Sequence, residues 1–265
     1  MTQNLARREF LKYVTQAAAL TAGACVPGCG KPQTPARRPI RVGIIGLDTS
    51  HAVVFTKHLN RDNSRDIALN DVRVIAAFPA GNADFPPSAD RVQRFTRDVR
   101  ALNVQIVDSI SELLPLVDAV LLESVDGRQH LDQARPVISA GIPLFIDKPL
   151  AASLSDALAI AAFADENRVP WMTSSSSRFT PGYPELRTNE RVGKILGCDI
   201  HSQTRAAIGH PDLYWYGVHG VDLLYLLMGP GCERVSAVQT PYSEFVVVCC
   251  WNLGRGPGWN FSGDS

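Results

Sequence analysis

Between residues 41 and 167 the chain repeats one pattern: a short apolar run of strand length, a turn, then a segment of helical length. The apolar runs fall at 41–46, 72–78, 104–107, 118–123 and 144–147. Helical segments are expected at 49–59, 88–102, 128–140 and from Ser153 to about Asn167, with Ser109–Glu112 as a capping box for a shorter one. Strands buried on both faces read as continuous Val/Ile/Leu runs, and joining them in parallel requires a crossover, usually a helix. The alternation therefore predicts an α/β fold with a doubly wound parallel sheet over 40–169. Ligands of such sheets sit in the crevice outside the carboxyl ends of the strands.

After Val169 the texture changes. Longer, alternating strands are expected at 195–204, 234–240 and 245–251, with one helix at 215–227 stopped by Gly229 and Pro230. Residues 170–265 read as a smaller α+β domain on an open sheet, incomplete because fewer strands are expected than such a sheet needs. The chain has 265 residues, 45% hydrophobic, which allows two cores of this kind. Formal net charge is +0, and no basic stripe interleaved with aromatics occurs, so no nucleic-acid partner is expected.

Residues 1–24 read as a leader. Arg7-Arg8-Glu9-Phe10-Leu11-Lys12, the small apolar run after it and Ala22-Gly23-Ala24 resemble a twin-arginine export signal. Cys25 follows directly, as in a lipoprotein cleavage site, and Cys29 is a second, weaker candidate. A soluble periplasmic protein and one lipid-anchored through Cys25 are both expected outcomes, with 25–39 as a linker. Cys198, Cys232, Cys249 and Cys250 show no metal-ligand spacing; they are expected to be buried apolar filler, and no metal is expected.

Chemistry concentrates at strand ends. Leu144-Phe145-Ile146 delivers Asp147 and Lys148 to the crevice, and Pro149 ends the ladder. The bland alternative is a strand-ending Lys-Pro pair in solvent.

Taken together, the segments resemble the Gfo/Idh/MocA family of NAD(P)-dependent sugar oxidoreductases. Asp147-Lys148-Pro149 looks like the end of that family's Glu-Lys-Pro stretch, and Arg178-Phe179 before Pro181 like its Arg-Phe-x-Pro segment. Val192–Gly197 looks like the opening of its second domain, and His219-Gly220-Val221-Asp222-Leu223 like its His-x-x-Asp-Leu helix.

The resemblance implies a Rossmann domain binding NAD or NADP, and a sugar or cyclitol substrate beside the second-domain helix. Lys148 and His219 are then the catalytic residues: Lys148 positions the nicotinamide and joins a proton relay, and His219 binds or deprotonates a hydroxyl. Cofactor contacts are expected from Gly43, Gly46, Asp48, Thr49, Ser50, His51, Glu123, His130, Asp147, Lys148 and Pro149. Substrate contacts are expected from Arg178, Trp215, Tyr216 and Asp222. A helix histidine satisfied by its neighbours is the alternative for His219, and core aromatics the alternative for Trp215 and Tyr216. The family's open sheet also implies a homo-oligomer.

Departures from the pattern are specific. Gly-x-Gly-x-x-Gly becomes Gly46-Leu47-Asp48-Thr49-Ser50-His51, keeping one glycine. The second glycine lets backbone approach a pyrophosphate, and Asp48 adds bulk and charge there. The second strand ends in Phe78-Pro79-Ala80-Gly81, with neither carboxylate nor arginine to choose NAD or NADP; Asp66 has the right spacing but precedes the strand. Trp215 stands where many members have an aspartate, and Asp212 is off that face. An NAD-assisted glycosidase and a non-catalytic sugar- or nucleotide-binding member remain as alternatives.

Overall fold

The structure is a computed structural model describing residues 38–61, 71–202, 207, 209–210, 213–240 and 243–251. The twin-arginine segment, Cys25, Cys29, Asp66 and Asp212 lie outside the described residues.

The chain divides into two units after Ser174, with Gly209 and His210 belonging to the first. That unit is built on six parallel strands: β1 (Ile40–Ile45), β2 (Val72–Phe78), β3 (Gln105–Ile106), β4 (Ala119–Leu122), β5 (Leu144–Asp147) and β6 (Trp171–Ser174). Their order is β3-β2-β1-β4-β5-β6. The winding direction reverses between β1 and β4, which opens a crevice at their carboxyl ends.

Alternate side chains along the strands feed two separate cores. Val42, Ile44, Val72, Val74 and Leu121 pack with α1 (Ser50–Leu59) and α2 (Pro86–Arg100) through Ala52, Val53, Phe95 and Val99. Val120, Leu122, Leu144 and Ile146 pack with α3 (Ile110–Leu113), α4 (His130–Ser139) and α5 (Leu154–Glu166) through Leu113, Ala134, Val137, Ile138 and Ile160. The two-residue period of a strand makes a doubly wound sheet from such runs. Each fully buried Val, Leu or Ile contributes roughly 1.5–3 kcal/mol of transfer free energy.

Local signals set most boundaries. Thr49, Ser109 and Ser153 cap their helices by accepting from His51, Glu112 and Asp156 N–H. The helix expected from Ser88 starts at Pro86, since proline fits a first turn where no N–H is needed. The helix expected from Arg128 starts as one 3₁₀ turn at Gly127–Gln129. A further strand, β6, was not foreseen: Trp171-Met172-Thr173-Ser174 is short and half polar, but it pairs with β5 throughout.

The second unit contains a 3₁₀ turn (Ser176–Phe179), α6 (Tyr183–Leu186), a π-helical turn (Leu213–Gly217) and α7 (Val218–Met228). Its antiparallel hairpin is β7 (Cys232–Thr240) with β8 (Ser243–Trp251). The strand expected at 195–204 is a correction: residues 195–202 are irregular, and 203–204 lie outside the described residues. An alternating pattern makes a strand only where a ladder partner satisfies its backbone. Cys198, Cys232, Cys249 and Cys250 are free thiols and half-buried, so the expectation of buried filler is also corrected. Among the described residues no helix is long and apolar enough to cross a membrane.

Candidate functional site

The loop after β1 is built around Gly46, whose φ is +95°. A Cβ there would lie 2.3 Å from the Ser124 backbone nitrogen. Only glycine lets this loop pass so close to the one leaving β4. Gly43, inside β1, faces Val117 and Leu113, at 3.1 and 3.2 Å from a built Cβ, and so serves strand–helix packing.

Asp48 occupies the position of the resemblance's second glycine and is fully buried. Its carboxylate accepts from the Ser88 hydroxyl at 2.6 Å and from Val125 N–H at 3.1 Å. Burial raises its pKa, and these two bonds pull the other way. Asp48 thus ties the loop after β1 to the start of α2 and to the loop after β4. Thr49 caps α1, and Ser50 is exposed at its first turn.

His51 lies one residue into α1, with Nδ1 2.8 Å from Asp147 Oδ2 at the end of β5. Burial alone would raise the Asp147 pKa; the His51 hydrogen bond, then the charges of His51 and Lys148, bring it below the usual carboxylate value. Glu123, at the end of β4, is fully buried. Neither of its carboxyl oxygens has a hydrogen-bond partner among the described residues. Burial first, and then the neighbouring Asp147 charge, hold its carboxyl well above the usual range.

Lys148 is half-buried next to them, and its peptide bond to Pro149 is cis. The His130 ring is buried between two loops, Nε2 2.7 Å from the Ser124 carbonyl and Nδ1 3.1 Å from that of Leu150. It holds the loops after β4 and β5 at a set spacing. His51, Glu123, Asp147 and Lys148 are therefore brought together, with Asp48 and His130 securing the loops that carry them.

A second knot was not legible in the sequence. Asp126 accepts from Arg128 Nε at 2.9 and 3.1 Å and Nη2 at 2.7 Å, and from Asn82 at 2.6 Å. Burial pushes the Asp126 carboxyl up, but the bonds from Arg128 and Asn82 outweigh it and leave it low. Gly127 N–H donates to His210 Nε2 at 3.0 Å, so that nitrogen carries a lone pair. The only local signal was Asp126-Gly127, an N-cap pair.

In the second unit His219 lies on α7, and its Nδ1 is 2.5 Å from the Ser175 hydroxyl. Asp222, one turn on, accepts from Ser175 N–H at 3.0 Å and pairs with Arg178 through Nε at 2.9 Å and Nη2 at 2.5 Å. Arg178 and Asp222 so hold each other, locking the 3₁₀ turn to α7. The Tyr216 ring packs edgewise on His219 at 5.7 Å and on Trp215 at 6.1 Å, and Trp215 is buried. Ser175 was the functional partner missed from sequence; its signal was the run Ser174–Ser177 before Arg178, which makes a serine turn with Ser177 N–H donating to Ser175 Oγ.

The chain is similar to known oxidoreductases in sequence and in fold. It is 31% identical to the YceM protein of Salmonella typhimurium over 62% of this chain and 52% of that protein. It is 29% identical to inositol 2-dehydrogenase of Corynebacterium glutamicum over 57% of this chain and 40% of that enzyme. The chain thus spans about half the length of the curated relatives it matches, or less. Among solved structures, GenD2 from gentamicin A biosynthesis in complex with NAD superposes with a TM-score of 0.58 at 20% identity, covering 86% of this chain and 66% of that one. Residues 40–174, just over half the chain, match the oxidoreductase family with an NAD-binding Rossmann fold, and the chain belongs to that family, Gfo/Idh/MocA.

Proposed function

We propose that the protein is an NAD(P)-dependent oxidoreductase acting on a hydroxyl of a sugar or cyclitol. The observation that carries this reading is Lys148 at the carboxyl end of β5, beside the β1/β4 switch point of a sheet whose family binds NAD. The likeness to an inositol 2-dehydrogenase supports a polyol substrate.

The residues present fit a dinucleotide. Gly46 keeps the tight turn, and α1 begins directly after the loop, offering backbone N–H groups and a favourable dipole to a pyrophosphate. The Asp48 carboxylate is turned inward and satisfied by Ser88 and Val125, so its charge is not presented to solvent at the loop surface. Thr49, Ser50 and the first turn of α1 would hold the phosphates, and the β5 end with Lys148 the nicotinamide side. A nicotinamide held there would supply the hydride acceptor that oxidation of an alcohol needs.

Removing a hydride from an alcohol also releases one proton, which needs a base. His219 supplies it: in the tautomer that donates Nδ1–H to Ser175 Oγ, the basic lone pair is on Nε2. Lys148, at the end of β5, positions the nicotinamide and joins a proton relay. Asp222 and Arg178 hold the backbone of Ser175 and so place its hydroxyl at His219.

Export belongs to the same reading: the twin-arginine pattern supports delivery of a folded protein to the periplasm, soluble or anchored at Cys25. The exposed Val235 and Val238 on β7 support a homo-oligomer through the hairpin.

The test is titration with NADH and NADPH separately, following energy transfer from tryptophan. Saturable micromolar binding, lost in Lys148→Ala, is expected. A folded protein that binds neither would end the dehydrogenase reading.

A further inference from the structure

We propose that His51, Glu123 and Asp147 form a binding site for one divalent transition-metal ion of the Zn²⁺ type. The site goes beyond the dehydrogenase reading and stands or falls separately from it.

Geometry comes first. One ring nitrogen of His51 and one carboxylate oxygen each of Glu123 and Asp147 lie within 4.8 Å of one another. Ligands of a four-coordinate Zn²⁺ at 2.0–2.2 Å stand roughly 3.3–3.5 Å apart. The three atoms therefore need only side-chain adjustment to meet one ion, with the 2.8 Å His51–Asp147 contact opening slightly. Their backbones are fixed by α1, β4 and β5, three elements of one packed sheet unit.

An independent observation points to a ligand. Glu123 is fully buried, and both its oxygens lack a hydrogen-bond partner among the described residues. Buried polar atoms in native proteins are almost always satisfied, and an orphan of this kind calls for an ion, a proton or a ligand. Its carboxylate lies within 4.8 Å of the ligand atoms of His51 and Asp147, the arrangement a shared cation would satisfy.

The donor set selects the metal. One imidazole with two carboxylates suits Zn²⁺, Co²⁺ or Mn²⁺, whereas Ca²⁺ and Mg²⁺ prefer oxygen donors throughout. The nearby ammonium of Lys148 opposes a cation, but the carboxylates of Asp147 and Asp48 outnumber it among the charges acting on Glu123. The His51 side chain, 37% exposed, is the route by which an ion reaches the buried pair. Residues 51, 123 and 147 have no motif spacing, which is why no metal was expected from sequence.

The experiment uses the full chain, stripped with a chelator and titrated with Co²⁺ alone while visible ligand-field absorption is followed. One equivalent should produce bands of a low-coordinate site without a thiolate charge-transfer band, which sets it apart from cysteine binding. Zn²⁺ should displace them. His51→Ala and Glu123→Gln, each shown folded by circular dichroism, should weaken binding at least tenfold. If Glu123→Gln does not fold, His51→Ala, altered at a partly exposed side chain, carries the test. No stoichiometric Co²⁺ uptake by the folded chain, or uptake unchanged in His51→Ala, overturns the proposal and leaves Glu123 a buried protonated carboxyl. NADH binding, read by tryptophan energy transfer in the same samples, reports on the dehydrogenase reading alone.

Discussion

The hydroxyl of Ser175 stands 2.5 Å from Nδ1 of His219, and the backbone N–H of the same serine donates to Asp222 one helical turn away. One residue thus reads two positions of α7 at once. Replacing Ser175 by alanine removes the partner of Nδ1 and keeps the backbone bond. Turnover of a polyol substrate should fall about 5–10-fold, the equivalent of the ~1 kcal/mol of one hydrogen bond. The acidic limb of the kcat profile, where a general base is lost by protonation, should move as well. His219→Ala should cost roughly 10²–10⁴-fold, the usual range for a general base. A Ser175→Ala enzyme with an unchanged pH profile would deny the positioning role.

Gly46→Ala should destabilise the first unit by about 2 kcal/mol or more. The added methyl meets the Ser124 backbone nitrogen at 2.3 Å, in a conformation with φ +95° that L residues rarely adopt. Urea unfolding compared with the unaltered chain measures the cost. Gly141→Ala is the control: its φ is also positive, but nothing lies within 4 Å of the added carbon. It should cost less.

Asp48 acts as a buried clamp. Asp48→Ala leaves the Ser88 hydroxyl and the Val125 N–H without their acceptor, at about 1–3 kcal/mol for such buried donors. Asp48→Asn keeps one acceptor oxygen and should cost less. Thermal unfolding of the two variants gives the order; equal loss would contradict the clamp.

At the base of the sheet Asp118 accepts from Arg41 Nη2 at 2.9 Å, Arg41 Nε at 3.1 Å and Arg41 N–H at 2.9 Å. Burial would raise its pKa, but the Arg41 side-chain and backbone bonds outweigh it and hold the carboxyl below its usual value. A carboxyl depressed on folding contributes stability that is complete above the unfolded value of about 3.9 and disappears as pH falls through the folded value. Asp118→Asn should therefore cost on the order of 0.5–1 kcal/mol at neutral pH, given the partial exposure of the pair. The difference from the unaltered chain should vanish in acid. Unfolding midpoints across a pH series check this, and a difference independent of pH would exclude the ionic account.

Most of the first unit was legible in the sequence. The runs at 41–46, 72–78, 118–123 and 144–147 are apolar enough to be buried on both faces, and serine, threonine and proline mark the helix starts between them. Such signals are local: a strand's period, a cap's hydroxyl and a proline's missing N–H act within a few residues. The same locality let the Asp147-Lys148-Pro149 turn be placed at a strand end. It failed for β6, where a half-polar segment becomes a strand only because β5 offers its edge. It also failed for 195–202, where alternation found no ladder.

What only the tertiary structure decided is which side chains face one another. Sequence read Asp48 as a charge beside phosphate; the fold turns it inward onto Ser88 and Val125. His51, Glu123 and Asp147 come from separate segments and meet because β1, β4 and β5 are neighbours in one parallel sheet. Ser175 reaches His219, and Arg178 reaches Asp222, across more than forty positions of chain. Strand order and helix docking set these distances through packing of residues far apart in sequence. Composition and periodicity constrain which elements form, and carry no record of that register.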